Sequence, residues 1–204
     1  MKLPNIKQED DGKFSNEGNI WSHRNLTLGV IAIFLYVGIE VSIGGFLINF
    51  FGESDIAGMA EKEAGRYVSY YWGGAMVGRF IGSALLQKIK AERLLAFSSL
   101  GALTLILLTL SSTGLVAMWA ILLVGLFNSV MFPNIFTLSI KGLGKHTSRG
   151  SGLLVMAIVG GAVIPVVQGL LADHFGLQTS FAIGLVCYGY VLYYAWQGYA
   201  PKPN

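Results

Sequence analysis

Apolar residues gather into six long runs, at 26–51, 67–86, 94–110, 115–138, 151–171 and 179–199, and the segments between them hold nearly all the charge. A helix rises about 1.5 Å per residue, so each run crosses or nearly crosses a hydrocarbon core of about 30 Å. The pattern predicts an all-α integral membrane protein. Residues 1–25 form a polar cytoplasmic arm, residues 26–199 a six-helix transmembrane bundle, and residues 200–204 a cytoplasmic tail. The arm mixes Gly, Asn and both signs of charge and has no apolar core, so it reads as a solvated segment and not as a secretory signal.

Composition agrees. Of the 204 residues, 53% are hydrophobic and 12% charged, against about 25% charged in soluble domains, and the mean hydropathy is +0.60. The 27 glycines suit helices that pack closely in a bilayer. The net charge of +3 belongs to the loops and does not argue for nucleic acid. One cysteine, Cys187, within the last run, permits no internal disulfide. The three histidines carry no metal-ligand spacing, and no nucleophile–base pair, P-loop or dinucleotide fingerprint occurs. The sequence therefore predicts no enzyme, no metal and no cofactor.

Loop charge sets the expected topology. Lys2, Lys7, Lys13 and Arg24, then Lys88, Lys90 and Arg93, then Lys141, Lys145 and Arg149, and finally Lys202 all fall on one side. The other side has Lys62 and Arg66 beside five acids, Glu53, Asp55, Glu61, Glu63 and Asp173. The positive-inside rule then puts both termini in the cytoplasm. Aromatic clusters, Tyr67, Tyr70, Tyr71 and Trp72 at the outer end of the second run and Tyr193, Tyr194, Trp196 and Tyr199 at the inner end of the sixth, read as interfacial belts. Trp72 could also stack on a ligand.

Polar residues inside the runs are the candidate chemistry. Glu40 sits near the middle of the first, where a charge needs a protein or water partner. Tyr36 and Gly44 lie one turn to either side on the same face. Glu40 can accept hydrogen bonds from a polar substrate or exchange a proton during transport; the structural alternative is an acid locked to Arg79, which it meets only with both side chains extended. Arg79 lies in the stripe Gly74-x-x-x-Gly78-x-x-x-Gly82, which favours close packing and a structural or gating role, and it can snorkel to the cytoplasmic interface. Asn128 and Pro133 interrupt the fourth run, and Pro165 and Gln168 the fifth. Asn128 and Asn134 stand about 120° apart on a straight helix, which a kink at Pro133 would change. For Asn128 and Gln168 an interhelical hydrogen bond is the alternative to substrate contact.

The runs divide into two triplets. Gly73-Gly74-Ala75 lies 33 residues after Glu40, and Gly160-Gly161-Ala162 lies 32 residues after Asn128. Three helices per unit would give the units opposite orientations, a 3+3 inverted repeat with substrate sites near the midplane.

Four segments occur in order: Phe34-Leu35-Tyr36-Val37-Gly38-Ile39-Glu40, Gly78-Arg79-Phe80-Ile81-Gly82, Phe132-Pro133-Asn134-Ile135-Phe136-Thr137-Leu138, and Met156-Ala157-Ile158-Val159-Gly160-Gly161-Ala162-Val163-Ile164-Pro165. Together they resemble the fucose and glucose/galactose permeases of the major facilitator superfamily, from about Leu26 to the tail, and Gly169-Leu170-Leu171-Ala172-Asp173 resembles the family's ending to this helix. The resemblance implies the C-terminal six-helix half of a hexose transporter, proton-coupled and working by alternating access, in a bacterial inner membrane. Its partners would be a sugar, the lipid bilayer, and a complementary N-terminal half or a second copy. The arm would stand in place of the linker between halves. The family's proton-coupling acid belongs to the other half, which leaves Glu40 the holding of a sugar hydroxyl. The Glu at this place resembles the glucose/galactose branch. The competing expectation is a truncated or split-gene remnant that inserts but does not transport alone.

Overall fold

The computed structural model describes residues 20–200, and every regular element among them is helical. The arm up to residue 19 and the tail from 201 lie outside the described residues. α1 (Arg24–Gly52) and α2 (Glu61–Leu85) are continuous over 29 and 25 residues, and α3 (Ala91–Ser111) over 21. α4 (Gly114–Asn128) and α5 (Met131–Ile140) follow one another across a two-residue turn. Pro133 accounts for that break. It has no N–H for the carbonyl four residues back, and its ring crowds the preceding turn.

α6 (Thr147–Met156) passes through a 3-10 turn at Ala157–Val159 into α7 (Gly160–Phe175). The chain then reverses at Gly176, whose φ of 85° suits a residue without a Cβ. α8 (Leu177–Ser180) and α9 (Ile183–Tyr193) follow, and α9 continues into a π-helical turn, Tyr194–Gly198.

Among the described residues, four helical stretches are both long and apolar enough to cross a membrane: Arg24–Gly52, Ala91–Ser111, Gly114–Ile140 and Gly144–Phe175. The other two apolar runs differ for identifiable reasons. Within the second run α2 holds Arg79 among tyrosines and the stripe glycines, which lower its hydropathy, and the last run is divided between α8, α9 and the π turn.

Packing is reciprocal between the two halves of the chain. α1 lies chiefly on α7, and α4 on α2 and α3. Both crossings bring backbone against backbone. A Cβ on Gly38 would come 3.0 Å from the Gly160 carbonyl oxygen, and one on Gly125 would come 2.5 Å from that of Tyr71. On α2, a Cβ at Gly78 would strike Leu126 O and Ser129, and one at Gly82 would strike Val130, so the glycine stripe seats α2 against the α4–α5 break. A Cβ on Gly74 would meet Leu126 N at an ordinary 3.7 Å. The two Gly-Gly-Ala segments are not equivalent in contact: Gly160 closes onto the Phe34 carbonyl, whereas Gly73 faces open space.

One end of the bundle is sealed by Asn25. Its amide donates to the carbonyls of Leu138, Ser139 and Lys141 at 3.3, 3.0 and 2.9 Å, which caps the end of α5. The Tyr194 hydroxyl donates to Asn25 O at 3.1 Å and pairs with Ser139 Oγ at 2.8 Å.

The belt reading is corrected at two positions. Tyr71 and Tyr194 are fully buried, while Tyr70, Trp72, Tyr193 and Trp196 are exposed. Successive helical residues point about 100° apart, so a run of adjacent aromatics cannot all face outward.

Candidate functional site

Glu40, Tyr36, Arg79 and Pro133 come together. They line one cavity of about 440 Å³ with Val37, Ser129, Phe132 and Ile158. The cavity forms where the middle of α1 faces the α4–α5 break, with Arg79 reaching in from α2. Glu40 is half-buried and Arg79 exposed. Arg79 attracts the Glu40 carboxylate electrostatically, yet among the described residues no ion pair joins them. The locked Glu40–Arg79 pair is therefore not formed. The Tyr36 hydroxyl, not Arg79, is the polar side chain that lies against the Glu40 carboxyl, and the exposed Arg79 head remains available to a third group.

Behind the cavity lies a closed polar cluster built on Asn128. Being last in α4, Asn128 has a carbonyl free of the regular helical ladder, and the Tyr36 hydroxyl donates to it at 2.9 Å. The Asn128 side-chain amide donates to the Tyr71 hydroxyl at 2.9 Å and accepts from the Tyr188 hydroxyl at 2.8 Å. Tyr71 in turn donates to the Glu40 backbone carbonyl at 3.2 Å. Four helices, α1, α2, α4 and α9, are tied at one depth. All four side chains, Tyr36, Tyr71, Asn128 and Tyr188, are almost wholly buried. The cluster fixes where Tyr36 and the Glu40 backbone stand.

The remaining predicted residues lie elsewhere. Asn134 is buried on α5, beyond the break, and its amide nitrogen has no hydrogen-bond partner. Gln168 is fully buried and closed on protein groups, accepting from Ser42 Oγ at 2.6 Å and donating to Ser180 Oγ at 3.3 Å. Trp72 lies over Gly44, where an added Cβ would sit 2.9 Å from its ring, and edge-on to Tyr71. Pro165 is inside α7, next to Ile164, which packs against Gly38. Neither Trp72 nor Gln168 borders the Glu40 cavity.

Sequence reasoning did not single out Tyr188 or Ser129 and assigned Tyr71 to the belt. The signal for Tyr71 was available: it lies four residues before Ala75 and seven before Gly78, on the buried face of α2.

The helical arrangement defines the class. The chain superimposes on the crystal structure of FucP, a major facilitator superfamily transporter in the outward conformation, with a TM-score of 0.81 and 32% identity, over 84% of this chain and 42% of that one. The sequence narrows the class further. The chain is 50% identical over 196 residues to the glucose/galactose transporter of Brucella abortus (strain 9-941), a match covering 95% of this chain and 47% of the relative. It is 32% identical over 173 residues to the L-fucose-proton symporter of Escherichia coli K12, covering 84% of this chain and 39% of that protein. No protein-family model matches the chain. Nearly the whole chain is thus similar to one half of the fucose and glucose/galactose permeases of the major facilitator superfamily, and it spans about half the length of the relatives it matches.

Proposed function

We propose that this chain is one half, the C-terminal one, of a secondary active hexose transporter. Its six helices form two inverted triplets, both termini are cytoplasmic, and transport proceeds by alternating access with proton coupling. The observation that carries the reading is the cavity in which Glu40, Tyr36 and Arg79 meet the break at Pro133. A carboxylate accepts hydrogen bonds from sugar hydroxyls, and a guanidinium donates to their oxygens. Secondary transporters with inverted repeats hold substrate near the midplane, where the repeats meet and helices are interrupted. The reciprocal crossings of α1 with α7 and α4 with α2 support the repeat. The E. coli relative's name supports the proton as coupling ion.

Within this reading Glu40 holds sugar hydroxyls and Arg79 closes on the same ligand from α2. Tyr36 frames the cavity, held by Asn128 acting from behind. Asn134 has an unpaired amide, but it is buried and reaches substrate only if α5 moves during the transport cycle. Trp72 and Gln168 serve the packing of the bundle, and Gly74, Gly78, Gly82, Pro133 and Pro165 set the close approaches and breaks on which it moves.

The match to only about half of each relative also gives footing to a second reading, a remnant that inserts without transporting. Uptake of labelled glucose, galactose and fucose separates the two. Cells expressing the chain with a complementary six-helix half should accumulate one of these sugars and lose it on addition of a protonophore, while the chain alone should not. Absence of uptake in both cases would leave the remnant reading standing.

A further inference from the structure

A second groove, of about 620 Å³ and sharing no residue with the Glu40 cavity, lies between α3 and the end of the last helix. Its walls repeat at helical spacing. Arg93, Phe97 and Leu100 face it from α3, and Leu192, Trp196 and Tyr199 from the other side. Basic groups, Lys90 and Arg93, stand at one end. Phe97 and Leu100 run from there along α3, and both are more than half exposed, as is Trp196 at 76%.

The π turn explains how Trp196 reaches the groove. The Tyr199 N–H bonds to the Tyr194 carbonyl, five residues back, at 2.9 Å, which places one extra residue in the turn. Tyr194 stays buried on Ser139 and Asn25. The wider turn lets the chain keep that anchor while it presents Trp196 outward. π turns of this kind recur at functional sites.

The geometry points to a binding site for one anionic phospholipid, its phosphate between Lys90 and Arg93 and an acyl chain along Phe97 and Leu100 beneath the Trp196 ring. Charge selects the occupant. Glu92 also lines the groove, so two cations face one anion and the lining is positive by one. A lipid with a net negative headgroup is favoured there, and a zwitterionic one is not. An aromatic ring above a basic cluster is the composition that membrane–water interfaces select. The site rests on α3 and α9 spanning a bilayer.

Tryptophan quenching in vesicles tests it. The chain is reconstituted in phosphatidylcholine containing a small fraction of brominated-chain phosphatidylglycerol or brominated-chain phosphatidylcholine. The Trp196 signal is taken as the difference between the unaltered chain and Trp196→Phe. Brominated phosphatidylglycerol should be enriched at Trp196 by about fivefold over the zwitterionic lipid. Lys90→Gln with Arg93→Gln should abolish the preference, and Glu92→Gln should raise it by about fivefold again. Equal quenching of Trp196 by the two lipids, with the other tryptophans quenched normally, overturns the site alone. A preference that survives the double substitution overturns it as well. If neither lipid quenches any tryptophan, the membrane-spanning reading fails and takes the site with it.

Discussion

Asn128 joins four helices through three hydrogen bonds, each to a different tyrosine hydroxyl. Removing its side chain leaves the Tyr71 and Tyr188 hydroxyls short of a buried partner, at about 1–3 kcal/mol for each group so stranded. Asn128→Ala should lower stability in detergent by about 2–4 kcal/mol, and Tyr188→Phe by about 1 kcal/mol. Because both substitutions break the same bond, the double variant should lose less than the sum; strict additivity in thermal unfolding would contradict the cluster. The sequence made Glu40 and Asn128 legible as polar residues at matching places in apolar runs, and Tyr36 as a neighbour one turn from Glu40. It could not show that Asn128 faces protein. Tyr188, its partner 60 residues away, lies in a uniformly apolar helix with no pattern to mark one face.

At the scale of elements, the glycine stripe of α2 and the proline break of the fourth run are two sides of one contact. Gly78 and Gly82 receive Ser129 and Val130, the two turn residues between α4 and α5. Gly78→Val forces a branched side chain into that turn and should cost about 1–3 kcal/mol or more. Gly73→Ala, in open space, should be neutral or slightly stabilising through helix propensity. Thermal unfolding of the two variants checks the contrast; equal effects would contradict the packing. The stripe and the proline were each readable from spacing. Their meeting was not, since it depends on the register of two helices some fifty residues apart. The Gly-Gly-Ala match shows the reverse limit, for identical triplets do different work at Gly73 and Gly160. Residue type repeats there while the neighbouring helix does not.

For the whole molecule, apolar side chains face outward on several helices, including Met76 and Phe80 on α2 and Met156 and Val166 on the α6–α7 rod, each more than 60% exposed. A bilayer covers such faces, and in the proposed assembly a second half covers those around the Glu40 cavity. The proposed topology gives opposite exposure to Lys141, after α5, and Glu61, at the start of α2. In a Cys187→Ser background, Lys141→Cys should react with an impermeant maleimide only in inside-out vesicles, and Glu61→Cys only in right-side-out ones. Labelling of both from one side would contradict the topology.

The central claim is that Glu40 forms part of the wall of a sugar path. Equilibrium binding of labelled hexose to the assembled transporter, with Glu40→Gln against the unaltered chain, tests it most directly. Losing a charged hydrogen-bond acceptor to a sugar hydroxyl costs about 1.5–3 kcal/mol, so the account predicts binding weaker by roughly tenfold or more, with the folded yield unchanged. Unaltered affinity in a folded Glu40→Gln protein would contradict it.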